Sequence, residues 1–118
     1  MLDISVIKGL SFDDEEQRKI MLKEIKKITK NKYKMNRKSL EEICKKISKK
    51  GYYVNNVGVR YKDGKEVNLE VALRCKNRNE FSIFNAKSYE EALVKAILIS
   101  FNFLELDKKT EEIQLNKQ

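Results

Sequence analysis

Residues 52–75 read YYVNNVGVRYKDGKEVNLEVALRC, and this stretch decides the fold. Apolar and polar residues alternate on both sides of a central Asp-Gly pair, which is typical of two strands joined in an antiparallel hairpin. A two-residue turn would set Tyr61 opposite Glu66, an apolar side chain of one strand against a charged side chain of the other. We therefore predict a three-residue loop over 62–64, with Gly64 in the left-handed region and a bulge beside it.

A third strand follows the hairpin, with the sequence FSIFNAK. A five-residue loop over 76–80 would pair Leu73 with Ile83 and complete a three-stranded antiparallel sheet. The face expected to lie against the core carries Tyr53, Val57, Val59, Tyr61, Val67, Leu69, Val71, Leu73 and Cys75.

Helices are predicted before and after the three strands in the sequence. SLEEICKKISKKG begins at Ser39 and SYEEALVKAILISFNFLEL begins at Ser88. Each serine is followed three residues later by a glutamate, the pattern of a capping box. Before them, Ser11 is the predicted N-cap of a further helix over about 12–30, with acidic residues in its first turn.

These elements predict an α+β fold in the order α-α-β-β-β-α. Two helices would pack on one face of the three-stranded sheet, and the N-terminal helix would be an addition. The length of 118 residues suits one domain. We assign 1–10 to an N-terminal segment, 11–107 to the domain and 108–118 to a polar tail.

The last helix is apolar on nearly every side. Four of its apolar residues lie off the face expected to pack on the sheet, and they are Val94, Leu98, Ile99 and Phe103. Either the first helix covers them within one chain, or they form a homo-oligomer interface. The sequence leaves both alternatives open.

Positive charge is concentrated in one part of the chain. The net charge is +8, yet residues 18–50 carry 14 basic and 3 acidic residues, a net +11, and the remainder is net negative. Such a segment favours a partner that bears phosphate groups. The alternative is that these lysines only solvate two helix faces.

Two sets of candidate binding residues follow. The first is the basic linker between the first two predicted helices, where long cationic side chains and a tyrosine could converge on phosphates: Lys30, Lys32, Tyr33, Lys34, Arg37 and Lys38. The second is a ligand-facing surface on the outer side of the sheet, with aromatic rings near guanidinium groups: Tyr52, Arg60, Arg74 and Phe84. The alternative for the second set is that a helix or another subunit covers this face.

The composition argues against catalysis and metal binding. The chain has no histidine, two cysteines and four glycines, too few for a common general base, a zinc site or a glycine-rich phosphate loop. We predict no enzymatic activity, no cofactor and no metal. Neither a signal peptide nor an apolar run long enough to span a bilayer is apparent, so we expect a cytoplasmic protein with Cys44 and Cys75 reduced, although a disulfide between them stays open.

Two resemblances arise from the placed elements. Residues 39–104 are similar in topology to double-stranded-RNA-binding domains, which hold phosphates with lysines at the start of the last helix. Here SYEEALVK has Glu90 and Glu91 at the matching positions, so no binding residue is carried over. SLEEICKKISKKGYYV together with SYEEALVKAILIS resembles small helix–sheet–helix proteins of phages and prophages. This second resemblance implies an accessory protein, of a kind that includes inhibitors of host defence.

Together these features predict a non-enzymatic, phage-type accessory protein that acts by stoichiometric binding. The first hypothesis is an anti-defence inhibitor of a host nuclease or nucleoprotein such as a CRISPR effector, or one that sequesters a nucleotide signal. The alternative is a DNA- or RNA-binding regulatory module.

Overall fold

The chain folds into four helices and a three-stranded antiparallel sheet, in the order α-α-α-β-β-β-α, which confirms the predicted α+β class. The computed structural model describes residues 2–74 and 81–116, with side chains except at 53, 55–57, 81 and 110–116. The bounds are α1 Ile4–Gly9, α2 Glu15–Ile28, α3 Arg37–Ser48, β1 Tyr53–Lys62, β2 Lys65–Arg74, β3 Phe81–Ala86 and α4 Tyr89–Asn116. The predicted 76–80 loop and the inward position of Cys75 lie outside the described residues.

Helix α1 was not expected, because the first ten residues were assigned to an N-terminal segment. Asp3 is its N-cap, and its carboxylate accepts hydrogen bonds from the Val6 backbone N–H at 3.0 Å and from the Ser5 hydroxyl at 2.8 Å. These bonds favour the ionised carboxylate and lower the pKa of Asp3. Ile7 is fully buried and anchors this short helix in the core.

The two following helices begin at residues other than the predicted serines. Asp14 caps α2 by accepting from Gln17 N–H at 3.0 Å, three residues after Ser11. Asn36 caps α3 by accepting from Ser39 N–H at 2.9 Å, so Ser39 lies inside the helix. Asp and Asn are at least as good N-caps as Ser, which is why composition alone did not separate the candidates.

The β1–β2 hairpin uses the two-residue turn that the sequence analysis rejected. Asp63 and Gly64 both have positive φ, at 52° and 76°, as a type I′ turn requires. Tyr61 does lie opposite Glu66, but 68% of Tyr61 is exposed, so the mismatch costs little burial. Val67 then bulges from β2, which shifts the register so that Val59 lies opposite Leu69, and a second shift follows between Val54 and Asn56.

The pairing of β3 also differs from the prediction, by one residue. Val71 lies opposite Phe84 and Ala72 opposite Ile83, where the prediction paired Leu73 with Ile83. A slip of one residue moves every side chain of a strand to the other face. Phe84 is therefore 3% exposed against the core, and Ile83 is 55% exposed on the outer face.

Helix α4 forms the centre of the molecule. All three strands and α3 contact it, and α1 and α2 contact it as well. Its residues 91–100 are all buried, including Val94, Leu98 and Ile99 at 0 to 1% exposure. The predicted oligomer interface is therefore wrong for these three residues, because the chain's own helices cover them. Phe103, the fourth, is partly buried and packs against the same core.

Two buried charged residues of α4 bind backbone groups of the segments that pack against this helix, including residues near the N-terminus. The Glu91 carboxylate accepts from the backbone N–H groups of Phe12 and Lys87, each at 2.5 Å. Lys95 donates to the carbonyls of Lys8 at 3.2 Å and Asn85 at 3.1 Å. Burial lowers the pKa of Lys95, and the nearby Glu91 carboxylate opposes that shift.

Within the described residues, no helix has the length and apolar composition that a membrane span requires.

Candidate functional site

Unpaired lysines dominate the surface of α2, of α3 and of the turn that joins them. Of the described residues between 18 and 50, ten exposed lysines have a side-chain ammonium group with neither a hydrogen bond nor an acidic group within 4 Å. We call them the lysine surface: Lys23, Lys26, Lys27, Lys30, Lys32, Lys34, Lys38, Lys45, Lys49 and Lys50. Helical spacing explains much of this arrangement, since Lys23, Lys26 and Lys27 lie opposite the buried Met21 and Ile25.

The turn after α2 has a defined and strained geometry. Lys30 N–H donates to Lys27 O at 3.2 Å and Asn31 N–H donates to Lys26 O at 2.8 Å, the two bonds of a Schellman motif. Lys30 and Asn31 both have left-handed φ angles, 56° and 59°. Glycine is the usual residue at the first of these positions, and a lysine there adopts a conformation that L-residues disfavour.

This turn forms one wall of a cleft of about 350 Å³ between α2, α3 and α4. We call it the lysine cleft. Its rim carries Lys30, Lys32, Tyr33, Lys46 and Lys50, and its floor is mostly apolar, made by Ile28, Thr29, Ile43, Ile47, Phe101 and Leu104. No carboxylate is among the described residues that line it.

Tyr33 is held in place at the rim by α3. Lys46 Nζ donates to the Tyr33 hydroxyl, and it lies 4.9 Å from the centroid of the Tyr33 ring. The hydrogen bond with Tyr33 raises the pKa of Lys46, so its ammonium stays charged over the physiological range. A partly buried ring beside a fixed cation is a suitable surface for stacking a planar group.

The structure brings together only part of the predicted basic linker. Lys30, Lys32 and Tyr33 meet at the cleft, and Lys34 and Lys38 are exposed outside its lining. Arg37 is engaged elsewhere: Nε pairs with Glu41 at 3.3 Å, and its guanidinium lies 4.5 Å over the Tyr89 ring. Because these contacts occupy the guanidinium, Arg37 does not join the cleft.

The sequence analysis missed Lys46 and Lys50 as members of this site. Lys46 lies in α3, at the edge of its apolar face, and Lys50 follows the C-cap Lys49 that ends this helix. Side chains four residues apart lie on the same side of a helix, and this spacing favours a position of Lys46 and Lys50 on one side of the C-terminal end of α3. That spacing was the available signal, but linking α3 to the α2 turn required the tertiary structure.

The second predicted set does not form a single surface. Phe84 and Tyr52 are buried, at 3% and 2% exposure, so their assignment to the outer sheet face is wrong. The one-residue register difference turns Phe84 inward, and the Tyr52 hydroxyl donates to the Asp107 carboxylate of α4. Arg74 remains exposed, and Arg60 pairs with Glu70 at 3.4 Å.

A second cleft, of about 380 Å³, lies between α3, α4 and the sheet. Its lining includes Cys44, Tyr52, Leu73 and Ser100. The thiol of Cys44 lies 4.0 Å from the Leu93 carbonyl, and the Ser100 hydroxyl donates to Ala96 O at 2.6 Å. Burial, with a smaller contribution from the Glu41 charge, raises the pKa of Cys44 to about 12. Cys44 and Ser100 thus already have partners within the protein, and most of the residues that line the cleft are apolar.

Among the described residues, no group of three or more Cys, Asp or Glu side chains could hold a metal ion.

No family model matches the chain, and no curated protein and no solved structure is matched by it. The resemblances to phage accessory proteins and to double-stranded-RNA-binding domains therefore stay predictions, and the site rests on its own geometry.

Proposed function

We propose that this protein is a non-catalytic binding module that holds a nucleic acid on its lysine surface. The observation that carries the proposal is the set of ten exposed lysines without acidic partners. A phosphate chain neutralises such a surface and releases its own counterions, which favours association at moderate salt.

A polymer fits this surface better than a single nucleotide does. The unpaired lysines extend along two helices and the turn between them, farther than the phosphates of one nucleotide reach. Each helix turn rises about 5.4 Å, so lysines three or four residues apart can contact successive phosphates. A chain of phosphates is the ligand with matching repetition.

Two of the roles predicted from the sequence would use this binding step, whereas direct inhibition of a nuclease and sequestration of a nucleotide signal would not. An anti-defence inhibitor of a nucleoprotein would cover its exposed nucleic acid, and a regulatory module would occupy a nucleic-acid site. We propose the inhibitor as the biological role, since the small size and the stoichiometric mode of binding suit it. An inhibitor of this kind would protect the nucleic acid that it covers from a nuclease only in proportion to the amount added, up to molar equivalence. A titration of nuclease protection would show this.

Charge reversal with a matched control tests the proposal. We expect K30E/K50E, two exposed positions at the cleft, to weaken binding of a labelled 20-nucleotide strand at least tenfold in fluorescence anisotropy. K62E/K65E changes the net charge equally at the exposed end of the hairpin and should weaken it about twofold or less. Equal losses in both variants would mean that net charge alone attracts the strand, which would contradict the proposal.

A further inference from the structure

The lysine cleft combines two surfaces that a double helix cannot satisfy together. Its floor is apolar, from Ile43, Ile47, Phe101 and Leu104, and its rim carries four lysines. In a duplex the phosphates lie outside and the faces of the bases are stacked inside, so a duplex would leave the apolar floor empty. A single strand can place one unstacked base on the floor and its phosphates on the rim.

We propose that the lysine cleft holds one unstacked nucleobase of a single-stranded nucleic acid, with the flanking phosphates on Lys30, Lys32, Lys46 and Lys50. This inference rests on the proposed function and adds the class of nucleic acid to it. Charge complementarity identifies the occupant, because the described lining contributes four ammonium groups and no carboxylate.

The dimensions of the cleft agree with a single base. Its volume of about 350 Å³ is at the low end of the roughly 300–1,000 Å³ typical of small-ligand pockets. Such a space suits one planar ring and its sugar better than a longer apolar ligand.

Two features prepare the rim before a ligand arrives. The bond from Lys46 to the Tyr33 hydroxyl fixes the ring, so little side-chain entropy is lost when a base stacks on it. The Schellman turn, with its two left-handed residues, leads into the segment that carries Lys30 and Lys32 at the cleft. Strained backbone of this kind is common where a binding surface is held in position.

The first experiment compares two polymers that carry the same phosphates. Oligodeoxythymidylate and an abasic deoxyribose-phosphate strand of equal length are titrated against the full chain at one salt concentration. We expect the thymidylate strand to bind roughly tenfold more tightly, because stacking contributes to it alone. Equal affinities would overturn the inference and leave the proposed function standing, whereas no binding of either strand would overturn both.

The second experiment places a reporter in the cleft. The sequence has no tryptophan, so Y33W introduces a single one at the rim. We expect thymidylate, but not the abasic strand, to quench its fluorescence, since a stacked base is required for contact quenching. Y61W, on an exposed residue of the hairpin, is the matched control and should be unaffected by both strands.

A third comparison covers the duplex. A blunt-ended duplex of the same sequence is expected to bind no better than the abasic strand and to leave Y33W unquenched. If the duplex bound as tightly as thymidylate and quenched Y33W equally, the cleft would not select an unstacked base and the inference would fail.

Discussion

At the scale of single residues, the most informative position is Lys30. It lies at the C′ position of α2 with φ of 56°, where glycine would relieve the backbone strain. The same side chain lines the lysine cleft. Positions where the local preference is violated are expected at functional sites, and Lys30 is such a position in this chain.

Replacing Lys30 by glycine tests whether the left-handed backbone of the turn is strained. We expect K30G to leave the free energy of unfolding unchanged or to raise it by about 0.5 kcal/mol, because relief of left-handed strain offsets the entropy cost of glycine. K26G, on the exposed face within α2, should instead lower it by about 1 kcal/mol. Urea denaturation measures both variants, and a loss of stability in K30G as large as that in K26G would contradict the reading of the turn.

Cys44 permits a prediction from pH. Burial raises the pKa of the folded-state Cys44 thiol to about 12, above its ordinary value of 9.0, so unfolding releases the thiol proton at alkaline pH. The stabilisation from the buried neutral thiol is complete below pH 9 and is lost as the pH rises toward 12. In a C75S variant, which leaves a single thiol, iodoacetamide at pH 8.5 should label Cys44 slowly when folded and rapidly in denaturant. Equal rates in both states would contradict this assignment.

At the scale of elements, the sheet shows why face assignments are harder to predict than strands. The alternation of β2 was read correctly for Val71 and Leu73, which are buried as expected. The error entered at the connections: a bulge at Val67 allowed the short turn, and one residue of register separated the predicted β3 from the observed one. Because a one-residue shift inverts a whole strand, a small error in loop length changed which β3 residues face the core.

The register of β3 predicts opposite outcomes for adjacent residues. We expect F84A to cost about 3–5 kcal/mol, since a large buried ring is removed from the core. I83A, at an exposed outer position, should change stability by less than about 1 kcal/mol. Thermal unfolding followed by circular dichroism compares them, and a reversed order of the two effects would support the register predicted from sequence.

The burial of α4 within the chain leads to a prediction about oligomerisation. Leu98 is 1% exposed within the chain, so we expect L98A to lower the free energy of unfolding by about 2–5 kcal/mol. The loss should be the same at all protein concentrations, because it arises inside one subunit. A melting temperature that rises with protein concentration in the wild type, and no longer does so in L98A, would restore the interface that the sequence suggested.

At the scale of the whole molecule, the α+β class and the strand order followed from hydrophobic periodicity and turn residues. The role of α1 did not, because its attachment depends on contacts such as Lys95 Nζ to Lys8 O, which join residues 87 positions apart. The same limit applied to the candidate site. Sequence identified Lys30, Lys32 and Tyr33 from local charge, but tertiary packing was needed to add Lys46 and Lys50 and to remove Arg37.

Core packing and unpaired positive charge lie on different helices of the molecule. Over residues 91–100, helix α4 uses its whole circumference to hold the core, so this part of the helix has no exposed side chains for recognition. The lysines of α2, α3 and their turn have almost no acidic partners within the described chain, and this is the surface on which the proposed function depends.

The most direct test is the salt dependence of binding to a single-stranded oligonucleotide by the wild-type protein. Each phosphate contact on a single strand contributes a slope of about −0.7 to log K against log salt. Contacts from the four cleft lysines alone therefore predict a slope of about −3 or steeper. A slope near zero between 50 and 300 mM NaCl, or no binding at the lowest salt, would contradict the proposal that this protein binds nucleic acid through its lysine surface.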